Sequence, residues 1–138
     1  MATRSVIGKY NNTTGGVKSV YCHYDGYPEY VGKILVNHYN TPEKVTKLIS
    51  MGDISSLEKS IGKKHDFNMP YNEKEKLGYT TFYGRDRGEK GNMSATYKNR
   101  EEYGKKAKNK FGTEYHYVFN LKTKKWSYFD YYGKEKTL

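Results

Sequence analysis

Apolar positions alternate with polar ones in two early stretches of the chain. TRSVIGK (3–9) and VKSVYCH (17–23) both read as strands. Between them Asn11-Asn12-Thr13-Thr14-Gly15-Gly16 is turn chemistry, which predicts a hairpin. Neither face of 17–23 is cleanly polar, so this strand is expected inside a sheet. The period then changes. After a tight turn at 24–27, Pro28 suits a first helical position, and Val31, Ile34, Leu35, His38 and Tyr39 recur at helical spacing. Thr41 and Pro42 predict the cap and first residue of a second helix, with Val45, Leu48 and Ile49 inward and Gly52 at its end. Ile54, Leu57 and Ile61 fit a short third helical piece within 53–62.

Residues 63–78 show no sustained period and read as an exposed loop. Tyr79 to Tyr83 are all aromatic or β-branched and predict a strand, which Gly84 ends. A third helical region is expected over 96–110, capped by Thr96 or Asn99, with Glu101 and Glu102 near its start and lysines toward its end. EYHYVFN (114–120) and KWSYFDY (125–131) predict a second hairpin, followed by a frayed tail at 133–138. This order of elements implies a single α+β domain over 1–138, an antiparallel sheet with helices packed on one face.

Composition adds two constraints. Only 35% of residues are hydrophobic and that set includes 16 tyrosines, so the core must be rich in aromatics whose hydroxyls reach its rim. Such a small polar domain gains from oligomerisation. The net charge of +10 points to an anionic ligand, a polyanionic partner, or solubility alone. Cys22 is the single cysteine, so no internal disulfide forms and a reducing cytoplasm is the expected setting. The opening MATRSVIGKY lacks the apolar segment of a signal peptide, and no apolar run is long enough for a membrane span.

The most suggestive stretch is Tyr79 to Met93, YTTFYGRDRGEKGNM. Phe82 or Tyr83 could stack on a base, Arg85 and Arg87 could fork onto phosphate oxygens, and Asn92 offers a donor and an acceptor. Gly84, Gly88 and Gly91 would let backbone N–H groups approach a phosphate. The plainer reading is a solvated loop whose arginines pair with Asp86 and Glu89, and the residues alone favour it. Cys22, His23 and Asp25 do not make a catalytic set, because Cys22 and His23 point to opposite faces of a strand and Asp25 suits the turn. The four histidines and one cysteine show no zinc spacing, and GRDRGEKG is not a dinucleotide fingerprint. No catalytic residue, metal or cofactor is therefore expected. Tyrosines interleaved with lysines in the last hairpin are a weak sign of nucleic-acid binding.

The motifs TRSVIG, YCHYDGYPEYVGKIL, HYNTPEKVTKLISMGDISSL, YGRDRGE and WSYFDY give the chain a wider likeness, covering most of residues 3–131. It resembles small phage and prophage proteins, above all the first-described Thoeris anti-defence family. Those proteins bind and sequester, without degrading, the cyclic ADP-ribose signal made by bacterial TIR-domain enzymes. The resemblance implies an α+β fold, assembly through dimers into larger homo-oligomers, and ligand pockets where protomers meet. It also implies a non-enzymatic protein of the host-cell cytoplasm that blocks activation of the immune effector. By this similarity Phe82 would stack on adenine and Asn92 would be a polar contact nearby, and separate pockets would hold cyclic oligonucleotides. Arg4, Arg85 and Arg87 are assigned to the diphosphate from their charge, with Tyr83 beside them. The alternative is a basic early phage protein that binds nucleic acid or inhibits a host protein. Under the main reading neither a membrane nor nucleic acid is a partner.

Overall fold

The computed structural model describes residues 2–91 and 94–138. It is an α+β domain built on a mostly antiparallel eight-stranded sheet. β1 (Ser5–Tyr10) and β2 (Val17–Cys22) form the expected hairpin. Asn11 organises its turn, its side-chain oxygen accepting from the backbone N–H of Thr13 at 2.9 Å. β1 also pairs in parallel with β6 (Tyr115–Asn120), which forms the second expected hairpin with β7 (Lys125–Phe129). β1 therefore runs through the middle of the sheet.

Pro28–Gly32 forms a wide helical turn that leads into α1 (Lys33–His38). α2 (Pro42–Ser50) starts as its sequence predicts, with the Thr41 hydroxyl accepting from the N–H of Lys44 at 3.2 Å. Such a cap is worth about 1 kcal/mol. Leu35 of α1 and Val45, Leu48 and Ile49 of α2 pack on one face of the sheet, against Ile7, Val20 and Phe119. α5 (Arg100–Phe111) packs on the other face, where Tyr103 and Ala107 meet Val6, Val17 and Val118. Helices thus cover both faces, where the sequence reading placed them on one. The alternation along β1 explains this: Val6 and Ile7 are both buried, and they point to opposite sides.

Several segments depart from the sequence reading. Residues 54–56 form a strand, β3, not a helix. The spacing of Ile54, Leu57 and Ile61 mimics a helical stripe, but pairing with β2 at Cys22 and with β4 (Thr81–Phe82) decides the outcome. Within the expected loop at 63–78, Tyr71–Leu77 forms α3, ended by Gly78 at φ 68°. The expected strand at 79–83 shrinks to β4, and Tyr83–Arg87 becomes the short helix α4, closed by Gly88 at φ 77°. The N-terminal part of the expected third helix is β5 (Ala95–Tyr97), paired with β2. α5 begins only at Arg100, where Asn99 accepts from the N–H of Glu102 at 2.8 Å. Glu102 reaches back to the N–H of Lys98, also at 2.8 Å, a reciprocal pair of cap bonds. The expected frayed tail contains β8 (Glu135–Thr137), which pairs with β7.

Candidate functional site

The corner between β4 and α4 is organised around one buried carboxylate. Asp86 accepts from the N–H of Phe82 at 2.8 Å, the N–H of His65 at 3.1 Å and Nε of Arg85 at 3.0 Å. Arg85 also donates to the carbonyls of Gly62 at 3.1 Å and Thr80 at 2.9 Å. Its guanidinium therefore ties two backbone segments to the Asp86 carboxylate and faces protein on most sides. Beneath it lies Phe82, which is 0% exposed and belongs to the main core. The Phe82 ring has no face open for a base to stack on. This corrects the expectation of an accessible platform, and the cause is the strand pairing that turns Phe82 inward opposite Ile54.

Arg87 is exposed and its guanidinium lies 5.1 Å from the ring centroid of Phe67, which in turn packs on Tyr83 at 5.6 Å. Asn92 lies outside the described residues. Cys22 and His23 point apart, as expected: the thiol is buried and burial pushes it up to about 12, while the imidazole bonds the Tyr21 hydroxyl at 2.7 Å.

Two of the six expected site residues, Arg4 and Tyr83, line one open cleft of about 540 Å³. Tyr21, Asp53, Glu89, Lys110, Phe111 and Gly112 complete it. Its position follows from the strand pairing. β5 occupies the edge of β2 at Val17–Ser19 and β3 occupies it at Cys22. The N–H of Tyr21 falls in the gap and is taken by the Asp53 carboxylate at 3.0 Å. The parallel β1–β6 register, Ser5 opposite Tyr115, brings Arg4 to the C-terminal end of α5. There its guanidinium donates to the Phe111 carbonyl at 3.2 Å, a favourable placement for a cation at the negative end of a helix.

The floor is aromatic. The Tyr21 and Phe111 rings stack with centroids 4.9 Å apart and planes 27° from parallel. Lys110 Nζ lies 5.0 Å from the Phe111 centroid. Burial pushes the Tyr21 hydroxyl up to about 12, and the nearby Arg4 acts in the opposite direction. Burial likewise raises the Asp53 carboxyl, opposed by its Tyr21 N–H bond and by Lys110. Burial lowers the His23 imidazole, and Arg4 adds to this. The cleft can offer two cations to a phosphate group, aromatic surface to a base, and two carboxylates to hydroxyl donors.

Sequence reasoning missed Tyr21, Asp53, Glu89, Lys110 and Phe111, which come from four separated segments. Phe111 alone carried a local signal, as the last apolar residue before the helix-ending Gly112.

A second cleft of about 560 Å³ lies between α1 and α3. Its deepest group, Glu58, accepts from the Tyr30 hydroxyl at 2.5 Å, and burial raises both groups. Among the described residues no cluster of three His, Cys, Asp or Glu stands where it could hold a metal ion. Among them also, no helix is long and apolar enough to cross a membrane. Comparison of the chain with protein-family models, with curated proteins and with solved structures finds no match.

Proposed function

We propose that this chain binds a cyclic ADP-ribose-type signal, glycocyclic ADP-ribose foremost, and holds it without cleaving it. The observation that carries this reading is the convergence of Arg4 and Lys110 with Tyr21, Tyr83 and Phe111 around one cleft. A compact cyclic dinucleotide-like diphosphate presents two negative charges and one purine face. Arg4 and Lys110 answer the diphosphate, each charge-assisted bond being worth about 1.5–3 kcal/mol. The half-buried Tyr83 and the Tyr21–Phe111 pair answer the purine, at about 1–3 kcal/mol per stacked base. In this reading Phe82 and Arg85 hold the shape of the corner that carries Tyr83, and Arg87 adds positive field at its rim.

The resemblance described above supports the same conclusion, with the chain acting as a phage anti-defence sponge in the host-cell cytoplasm. A second protomer laid over the open side of the cleft would bury the ligand, so a homo-oligomer is part of the proposal. Cyclic oligonucleotides are secondary ligands in it.

The lysine-rich helix gives little to the alternative of nucleic-acid binding. Lys105 and Lys106 pair with Glu101 and Glu102, and Lys108 donates to the Tyr131 carbonyl. Calorimetric titration of glycocyclic ADP-ribose into the protein tests the proposal. Saturable binding near one ligand per cleft supports it, and no heat of binding at micromolar protein rejects it.

A further inference from the structure

The cleft carries two acids, Asp53 and Glu89, as well as its two cations, Arg4 and Lys110. Asp53 comes from the turn before β3, and Glu89 follows the end of α4. Among the described residues neither carboxylate forms an ion pair within the cleft. One Asp53 oxygen is occupied by the Tyr21 N–H. The other makes no hydrogen bond among the described residues. Glu89 is exposed, anchored by its own N–H on the Tyr83 carbonyl at 3.1 Å. Its backbone is thus fixed beside the aromatic while its carboxylate stays available.

We propose that Glu89, with Asp53 behind it, accepts hydrogen bonds from ribose hydroxyls and makes the cleft selective for nucleotides whose ribose carries no further phosphate. The inference rests on the nucleotide reading given above. A carboxylate is an acceptor only, so it complements a hydroxyl and repels a phosphate. The same logic separates dinucleotide sites that place an acid on the ribose 2′-hydroxyl from those that place an arginine on a 2′-phosphate. Arg4 and Lys110 are the two cations lining the cleft and answer one diphosphate, and a third phosphate on the ribose would meet the Glu89 carboxylate.

The test uses three probes on the full chain: glycocyclic ADP-ribose, cyclic ADP-ribose, and cyclic ADP-ribose bearing a ribose 2′-phosphate. Titration calorimetry on the wild type should show the phosphorylated ring binding at least about tenfold more weakly than its parent. In Glu89→Lys that ratio should close or invert, with the melting temperature unchanged because Glu89 is exposed. Asp53 is left intact because it holds the Tyr21 N–H. If glycocyclic ADP-ribose binds but cyclic ADP-ribose binds no better than its phosphate, the ribose inference falls and the site stands. A ratio unmoved by Glu89→Lys also overturns the inference. If no probe binds the wild type, the nucleotide reading itself fails and this inference with it.

Discussion

The guanidinium of Arg85 lies 4.9 Å from the centroid of the Phe82 ring, and the Asp86 carboxylate holds both that guanidinium and the backbone N–H of Phe82. The most distinctive stretch of the sequence is thus a structural clamp. It fixes where Tyr83 leaves the sheet, and so fixes one wall of the cleft.

Phe82→Ala should behave as a core truncation. Removing a fully buried ring leaves a cavity and costs about 3–5 kcal/mol. Urea denaturation should show the lowered midpoint directly. A variant as stable as the wild type but unable to bind ligand would instead give Phe82 a direct contact with the ligand.

Asp86→Ala should be comparably damaging. It strips the partner from two backbone N–H groups and from a nearly buried guanidinium, and breaking such an arrangement from one side costs about 3–5 kcal/mol. Arg85→Ala frees the carbonyls of Gly62 and Thr80 and should raise hydrogen exchange across residues 62–66 and 80–87. Unchanged exchange there would contradict the clamp.

These two residues also mark what a sequence can and cannot disclose. The cap at Thr41 is set by neighbours a few residues away and is legible in the sequence, whereas the stop at Gly112 falls just past the expected helix end at 110. Gly78 ends a short helix inside the segment that the sequence reads as a loop. α3 buries none of its side chains, so no apolar stripe announced it. The apolar spacing that starts at Ile54 serves a helix or a strand equally well, and only pairing with β2 and β4 decides between them. The cleft was hidden for a related reason. Arg4 meets Phe111 through a parallel strand pairing, which leaves no local trace in either segment.

Lys110→Ala should leave stability near that of the wild type, because the side chain is exposed. It should weaken ligand binding by about tenfold to a hundredfold, the loss of one charge-assisted contact. Calorimetry beside a thermal melt separates the two effects. Wild-type affinity in this variant would move the diphosphate away from the cleft.

Stability should depend on pH through His116. The ring is buried, with Nε2 2.8 Å from the Thr113 hydroxyl, and burial lowers its pKa from 6.5. As pH falls through that value the unfolded chain binds a proton that the folded chain does not. Stability contributed by the neutral ring is therefore complete above 6.5 and declines as pH drops toward the lower folded value. Asp53 and Glu58 titrate with the opposite sign, since burial raises them, so the comparison must be made against His116→Gln. Denaturation at about pH 8 and about pH 5 should show the wild type losing more stability than the variant. Equal losses would place the proton elsewhere.

The central claim is sequestration without chemistry, and one measurement addresses it. The protein is incubated with glycocyclic ADP-ribose, unbound material is removed by filtration, and the retained protein is denatured by heat. The account predicts that the ring is absent from the first filtrate and returns chemically intact after denaturation, in proportion to the protein used. Free ring in the first filtrate would contradict binding, and a modified product after denaturation would contradict a passive sponge.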